Sequence, residues 1–188
     1  MSNYAQNVQE SLFHFRQNGD LEVKNAVIIW KNFSGRPTKY VPAGGKRTFT
    51  LVLTQEMADV LRDRGWNVRV RPAKEEGDAD LYYTEISVRY NTDKPQYNPS
   101  VYFLSEVNGE KYKQLIPEEA IGQADDERFA KVDLLIHAYA HGVETAKSKV
   151  KGYLRSMFAT VEVDSFELEY SDYRTVGETS GEAVEMPW

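Results

Sequence analysis

The chain consists largely of short segments in which apolar and polar residues alternate, with turn residues between them. In the segment from Arg47 to Thr54, Phe49, Leu51 and Leu53 fall on one side and threonines on the other. A period of two residues is the pattern of a half-buried β-strand. The same reasoning predicts strands at residues 21–33, 47–54, 67–71, 81–91, 101–104, 112–116, 129–141 and 149–163.

Helical signals are few by comparison. Thr54 is a suitable N-cap for a helix from Gln55 to Arg64, and Gly65 is suited to end it. The apolar residues of the segment 12–15 suggest one more short helix near the N-terminus. Many strands with a single clear helix predict a mainly-β fold, for which we favour an antiparallel Greek-key barrel of the OB type. The usual OB helix lies between the third and fourth strands, whereas this helix follows the second recognisable strand.

The organisation of the chain follows from where this pattern begins and fades. We predict an N-terminal extension over residues 1–20, one β domain over 21–170 and an acidic tail over 171–188. The 188 residues include no cysteine, which excludes disulfides and thiolate chemistry. No apolar run approaches the roughly 20 residues of a membrane span, and no secretion signal is evident. We therefore expect a cytoplasmic protein that does not bind membranes.

Charge is distributed unevenly along the sequence. The segment from Asp164 to Trp188 holds seven acidic residues and one basic residue, and this excess equals the net charge of −6. The rest of the chain is therefore neutral, and it includes the stretch from Lys31 to Arg47, with five basic residues and no acid. A body with local basic stretches and many aromatic rings is suited to bind a polyanion.

The first candidate site is this basic stretch, which joins two predicted strands through a loop rich in glycine and proline. Lysine and arginine neutralise phosphates without reading sequence, and aromatic rings stack on unpaired bases. A solvated, charged hairpin loop with Phe49 in the core is the alternative. The predicted nucleic-acid-binding residues here are Lys31, Phe33, Arg36, Lys39, Tyr40, Lys46 and Arg47.

The second candidate site is the last predicted strand. Lys149, Lys151, Tyr153 and Arg155 alternate, so they share one face of the strand, while Val150, Leu154 and Phe158 are predicted to face the core. A basic face that carries a tyrosine fits a shallow groove for a single strand. The alternative is an ordinary solvent-facing strand.

The third candidate site is the acidic tail, which ends in an apolar tip. Such a tail can fold back onto an empty basic groove, leave when DNA arrives, and dock its tip on a partner protein. A disordered end that only aids solubility is the alternative. The predicted docking residues are Glu182, Glu185, Met186, Pro187 and Trp188.

Signals for catalysis or metal binding fail on inspection. His137 and His141 lie four residues apart, but in a predicted strand and without further ligands. Gly44-Gly45-Lys46 lacks the remainder of a phosphate-binding loop, since Arg47 follows where Ser or Thr is required. We predict no cofactor, no metal and no enzymatic activity. A metal-dependent nuclease is a remote rival, with candidate acids Asp78, Asp80, Asp125 and Asp126.

Three short motifs resemble those of phage-encoded single-stranded DNA-binding proteins. They are Phe33-Ser34-Gly35 after a strand, Arg47-Thr48-Phe49, and Gly65-Trp66-Asn67-Val68 after a short helix. The resemblance covers about residues 21–170. It implies an OB-type barrel that coats single-stranded DNA in phage replication or recombination, and an acidic, aromatic-tipped tail that docks on other proteins. Here Trp188 stands where phenylalanine is usual.

The resulting prediction is a non-enzymatic protein that binds single-stranded DNA without sequence preference. Trp30 and Trp66 are added as possible stacking rings, although Trp66 can equally belong to the core. The sequence does not give the oligomeric state or distinguish DNA from RNA. The main alternative is a virion structural or assembly protein with a β-sandwich fold.

Overall fold

The computed structural model describes residues 4–140, 150–163 and 169, and within them the fold is mainly β, as predicted. Its ten strands are β1 (Leu12–Phe15), β2 (Leu21–Lys24), β3 (Ile28–Asn32), β4 (Thr48–Leu53), β5 (Val68–Arg71), β6 (Leu81–Ser87), β7 (Ser100–Val107), β8 (Glu110–Ile116), β9 (Phe129–Ala140) and β10 (Val150–Val161). The α-helices are α1 (Tyr4–Asn7) and α2 (Gln55–Asp63), and short 3-10 helices span Val8–Glu10, Pro95–Tyr97 and Glu118–Asp125. No helix in these described ranges is long and apolar enough to cross a membrane.

All ten strands belong to one sheet. Its main path runs β1-β2-β9-β10-β6-β4-β3, with β5 paired to β6 and the β7–β8 hairpin paired to β10. Most pairs are antiparallel, but β10 runs parallel to both β6 and β7. The pairings among the described strands give one sheet that is not closed. At the centre of the sheet lies β10, which contacts β9, β6 and β7.

The main core cluster forms on one face of this sheet, where the alternation seen in the sequence places its apolar residues, and a smaller cluster of Val8, Ile29 and Val52 packs separately. Phe49, Leu51 and Leu53 are buried together, and Trp66 joins the same cluster. Gly152 of β10 lies in tight packing, because an added Cβ would come within 2.7 Å of the Trp66 ring. Trp66 is therefore a core residue.

Helix α2 begins as the sequence predicted and ends at Asp63, one residue before the predicted Arg64. The Thr54 hydroxyl accepts a hydrogen bond from the Met57 backbone amide at 3.1 Å, which satisfies one of the free amides of the first turn. Gly65 follows the helix with φ of +83°, a conformation that favours glycine. Leu61 anchors the apolar face in the core.

Two of the expected elements were wrong. The residues from Leu12 to Phe15 form strand β1, paired with β2, rather than a helix. The single strand expected over 21–33 is two strands, because Asn25 adopts φ of +51° and turns the chain between them. Asn25 and Ala26 instead donate backbone hydrogen bonds to Asp133 and Val132 of β9.

A β-bulge divides strand β10 and changes which residues face the core. The pairing with β9 shifts between Leu154 and Ser156, which leaves Arg155 as the extra residue. A bulge of one residue reverses the alternation beyond it. Met157 and Ala159 are therefore buried, and Phe158, predicted to face the core, is exposed.

Candidate nucleic-acid interface

The outer face of β9 and β10, opposite the core, carries a row of tyrosines. Tyr153 of β10 pairs with His137 of β9, and Lys151 pairs with Tyr139. Because paired residues share a face, these four side chains project on the same side of the sheet. The Tyr139 and Tyr153 rings meet edge to face, with centroids 6.2 Å apart. The Lys151 ammonium lies 5.6 Å from the centre of the Tyr153 ring.

The bulge in β10 determines where the Arg155 side chain points. Arg155 has no register partner on β9, and its guanidinium lies 5.7 Å from the centre of the Tyr97 ring. Tyr97 belongs to the β6–β7 loop and is 57% exposed. β-Bulges often re-aim a side chain at a functional site. Here the bulge brings a cation of the sheet against an aromatic ring of a loop.

The β6–β7 loop is shaped by its own asparagines. The Asn91 backbone amide donates to the Asn98 side-chain oxygen at 2.6 Å, which closes the base of the loop. The Asn91 side-chain oxygen in turn accepts from the Asp93 amide. Pro95 opens the short 3-10 helix that ends at Tyr97, where its missing amide costs nothing. These bonds shape the loop that carries Lys94 and Tyr97, and Tyr97 lies against Arg155 in the middle of β10.

Sheet and loop together enclose an open groove of about 580 Å³, which we call the tyrosine groove. Tyr97, Tyr139 and Tyr153 supply its rings, and its cations come from both the loop and the sheet. Its lining residues are Arg89, Asn91, Lys94, Tyr97, His137, Tyr139, Tyr153, Leu154 and Arg155.

The cations of the tyrosine groove differ from those elsewhere in the contacts that they make with described carboxylates. Within the described residues, Arg89, Lys94 and Arg155 form no ion pair with a carboxylate. Two acids lie beside the groove: Asp93, in the loop between Asn91 and Lys94, and Asp20, largely buried, whose Oδ1 lies 2.7 Å from Nδ1 of His137. Asp20 therefore holds the imidazole in place next to Tyr153. The groove keeps a positive character along with its three rings.

A larger cavity, of about 780 Å³, lies elsewhere on the molecule. Arg71 and Lys74 line it together with Asp78 and Asp80, so its charges are mixed. Trp30, which has φ of +49° and is exposed, also lines this cavity and not the tyrosine groove. We prefer the smaller groove as the nucleic-acid interface because charge of one sign suits a polyanion better.

The basic stretch from 31 to 47, which we call the basic segment, is arranged differently. Lys31 donates hydrogen bonds to the backbone carbonyls of Ala124 and Glu127, the first at 2.8 Å. Burial lowers the pKa of its ammonium below the usual 10.5, although nearby Asp125 opposes this. Lys31 thus fastens β3 to the 3-10 helix at 118–125, a structural role.

Phe33 and Arg36 are also engaged within the protein. Phe33 is fully buried and stacks on Phe49 with ring centroids 5.4 Å apart, so the expectation that it stacks on bases is corrected. The Asp125 carboxylate, almost entirely buried, accepts hydrogen bonds from the backbone amides of Phe33 and Ser34 and from the Ser34 hydroxyl. Arg36 lies 3.5 Å from the same carboxylate.

Acidic residues likewise meet the cations at the end of the basic segment. Lys46 forms an ion pair with Glu85 of β6 at 2.7 Å, and Arg47 forms one with Glu118 at 2.7 Å. Lys39 and Tyr40 are exposed, Tyr40 by 88%. Among the described contacts, neither forms an ion pair or a ring contact.

The predicted binding residues therefore separate into two places. Tyr153 and Arg155 line the tyrosine groove and Lys151 lies beside it, whereas no residue of the basic segment lines it. In the sheet, β6 and β4 lie between β10 and β3, a distance of roughly 10–15 Å at the usual strand spacing. Lys149 and the tail residues Glu182, Glu185, Met186, Pro187 and Trp188 lie outside the described residues.

Sequence reasoning missed four residues of the groove. Lys94 and Tyr97 belong to a segment interpreted only as a loop, and Arg89 to the end of the strand predicted over 81–91, although two cations and two tyrosines within nine residues were a usable signal. Tyr139 alternates with His137 on β9, the same pattern that identified Tyr153 on β10. Its neighbour His137 was considered only as a metal ligand.

A metal centre finds no support among the described side chains. No group of three or more His, Asp or Glu residues in that part of the chain is arranged to hold a metal ion. Of the acids considered for a nuclease, Asp125 is committed to the hydrogen bonds described above. Asp80 accepts a bond from the Ala73 amide at 2.9 Å.

Comparison with known proteins gives one family match. Residues 11–186 match the family described as "Putative phage ssDNA-binding domain". No curated protein matches the sequence.

Two solved structures are similar in part. One is a single-stranded DNA-binding protein from bacteriophage Enc34 in complex with ssDNA (TM-score 0.47, 9% identity), and the match covers 82% of this chain and 93% of that one. The other is a C-terminal truncation of the Enc34 single-stranded DNA-binding protein (TM-score 0.41, 12% identity), with 83% and 98% covered.

Proposed function

This chain belongs to the family of phage single-stranded DNA-binding domains, and we propose that it binds the DNA strand in the tyrosine groove. In this proposal Arg89, Lys94 and Arg155 contact phosphates, and Lys151 extends the positive surface beside them. Unpaired bases stack on the groove's three tyrosines. The strand therefore lies across β9 and β10, under the β6–β7 loop.

One observation supports this proposal above the others. Three cations without a carboxylate partner among the described residues share a groove with three tyrosine rings. Phosphate contacts supply affinity without sequence information, and a ring stacks on any base. The combination favours binding that is strong, dependent on salt and indifferent to sequence.

The rings also favour a single strand over a duplex. In a duplex each base is stacked between its neighbours, so its face is closed to a protein ring. In a single strand the faces are open, and each stack on an aromatic side chain is worth about 1–3 kcal/mol. The three tyrosines can therefore contribute only when the DNA is unpaired.

The family match supports single-stranded DNA binding, and a wider role is our proposal. We propose that the protein covers single-stranded DNA during phage replication or recombination, in the host cytoplasm where that DNA is found, and performs no catalysis. A carboxylate-bound metal would be needed for the rival nuclease reaction. Incubation of labelled single-stranded DNA with Mg²⁺ should therefore leave its length unchanged.

The acidic tail has two proposed roles, self-shielding and docking on replication or recombination proteins. Its carboxylates would compete with DNA for the same cations. Deletion of residues 171–188 should then tighten binding to oligo-dT at low salt. Equal affinity of the truncated and full-length proteins at low salt would remove the self-shielding role.

The binding function itself is tested by anisotropy titrations of labelled oligo-dT, oligo-U and duplex DNA at two ionic strengths. We expect oligo-dT to bind far more tightly than the duplex, and its affinity to fall as salt rises. The comparison with oligo-U measures the preference for DNA over RNA. Equal binding of duplex and oligo-dT would contradict the proposal, and a defined oligomer without any DNA binding would favour the virion-protein alternative.

A further inference from the structure

A second pair of aromatic rings lies on the same sheet, outside the tyrosine groove. Tyr102 of β7 and Phe158 of β10 stack face to face, with centroids 5.1 Å apart and planes inclined by 8°. Phe158 is 37% exposed, so the pair presents aromatic surface to solvent. The core lies on the other side of the sheet, where Met157 and Ala159 are buried.

The bulge at Arg155 places this pair on the face that carries the groove. Without the extra residue, Tyr153 and Phe158 would project from opposite sides of β10, because five positions separate them. With it, both project outward, and the register pairs Phe158 with Tyr102 on that side. Arg155 and Ser156 lie between the two ring sites along the strand. The pair is therefore continuous with the groove along one surface.

The surroundings of the pair are mixed in charge but offer a cation. The Lys113 ammonium of β8 lies 4.9 Å from the centre of the Tyr102 ring and forms no ion pair with the described acids. Asp133 of β9 is the register neighbour of Phe158. Its carboxylate is already within 3.9 Å of Lys24 and 3.4 Å of Lys131, and it accepts the Asn25 amide.

We propose that Tyr102 and Phe158 form a second stacking station for the same DNA strand as it leaves the tyrosine groove along β10. This inference rests on the proposed function, and it adds the direction and the length of the path that the bound DNA strand follows. Four to five strand residues separate the stations, which corresponds to about 15 Å. Lys113 supplies the phosphate contact at the far station.

The competing explanation is structural: the ring pair only fastens the β7–β8 hairpin to β10. The two explanations differ in how binding depends on DNA length. A strand too short to span both stations gains nothing from the second. A strand that reaches it gains a stack, which corresponds to an increase in affinity of about tenfold.

The test uses full-length protein and labelled oligo-dT in steps from about 4 to about 16 nucleotides, the range covered by comparable domains. Phe158→Leu and Tyr102→Leu remove the rings while keeping apolar bulk, and thermal unfolding checks the fold. Tyr112→Leu is the matched control: Tyr112 is 51% exposed in the same hairpin, on the side opposite Lys113. Tyr153→Leu serves as the reference for the groove.

We expect Phe158→Leu and Tyr102→Leu to bind the shortest oligonucleotides like the wild type and the longer ones about tenfold more weakly. Tyr112→Leu should match the wild type at every length, and Tyr153→Leu should lose affinity at every length. Wild-type affinity of the Phe158 and Tyr102 variants at all lengths would overturn the second station and leave the groove intact. The second station would also be overturned if these variants lost the same affinity at all lengths, or if Tyr112→Leu lost as much affinity as they do. Failure of the wild type to bind oligo-dT would instead overturn the proposed function.

Discussion

The basic segment and the tyrosine groove both contain cations and aromatic rings, but their cations make different contacts in the fold. The segment from 31 to 47 is the more basic stretch in sequence, yet four of its five cations contact carbonyls or carboxylates of the protein. The cations of the groove are fewer and widely separated in sequence, but they have no acidic partner among the described residues. The count of basic residues thus indicates less about binding than their neighbours in the fold do.

The difference has a physical origin. An ion pair with a nearby carboxylate offsets the charge that a phosphate would otherwise meet, so a bound phosphate must first displace the acid. Arg47 illustrates this, because Glu118 lies 2.7 Å from it. Arg155 faces an aromatic ring instead, which leaves its full charge available to DNA. We therefore expect substitutions in the segment to change stability, and substitutions in the groove to change binding.

The largest effect is expected when a ring and a cation are removed together from the groove. Tyr153→Ala with Arg155→Ala should weaken oligo-dT binding about 100-fold, because a stack and a phosphate contact are both lost. Lys39→Ala with Tyr40→Ala is the matched pair in the basic segment, where both side chains are exposed. That control should change affinity less than about threefold. A greater loss in the control than in the groove variant would reverse the comparison.

The basic segment should respond in stability. Asp125→Ala leaves the amides of Phe33 and Ser34 without their acceptor, and we expect a loss of about 3 kcal/mol in the free energy of unfolding. Denaturant unfolding measures this, with Asp93→Ala on an exposed loop as the control. Below the unfolding transition, oligo-dT affinity should stay within about twofold of the wild type. Unchanged stability with weakened DNA binding would contradict the structural role of Asp125.

The sequence was informative where local rules decide the outcome. The alternation in β4 and the cap at Thr54 depend on neighbours in sequence, and both were predicted. The bulge at Arg155 was not predicted, because it is defined by the pairing of β10 with β9. The prediction that Phe158 faces the core was therefore wrong. For the same reason the acidic partners of Arg36, Lys46 and Arg47 could not be predicted. They lie 39 to 89 positions away in the chain.

The dependence of binding on salt gives a smaller but more specific contrast. Arg155→Gln should lower the slope of log affinity against log salt by about 0.7, the value for one phosphate contact on a single strand. Arg47→Gln should leave the slope nearly unchanged, because Glu118 already compensates that charge. The two titrations use the same oligo-dT and the same salt series. Equal slopes for both variants would show that pairing does not determine which cations meet DNA.

The smallest effect is expected from substitution of Tyr90, a buried tyrosine that affects the stability of the fold and not DNA binding. Its hydroxyl is buried without a hydrogen-bond partner among the described residues, and burial raises its pKa to about 12. Since the folded pKa exceeds the unfolded value of 10, this tyrosine's contribution to stability is present below pH 10 and is lost as the pH rises towards 12.

Tyr90→Phe should therefore leave DNA binding unchanged, raise stability at neutral pH by up to about 1 kcal/mol, and reduce the alkaline loss. Thermal unfolding between pH 7 and pH 11 measures both effects, and Tyr97→Phe, on an exposed loop, is the control. A clear loss of stability at neutral pH would show that the Tyr90 hydroxyl has a partner.

The most direct test of the account is photo-crosslinking of the full-length protein to oligo-dT in which 5-iodouracil replaces single thymines. This chemistry reacts with aromatic rings that touch the base, and mass spectrometry of the peptides then identifies them. We predict crosslinks at Tyr97, Tyr139 and Tyr153 and little reaction at Tyr40, although Tyr40 is the most exposed of these rings. Crosslinks concentrated at Tyr40, with the groove tyrosines unreacted, would contradict the tyrosine groove as the binding site.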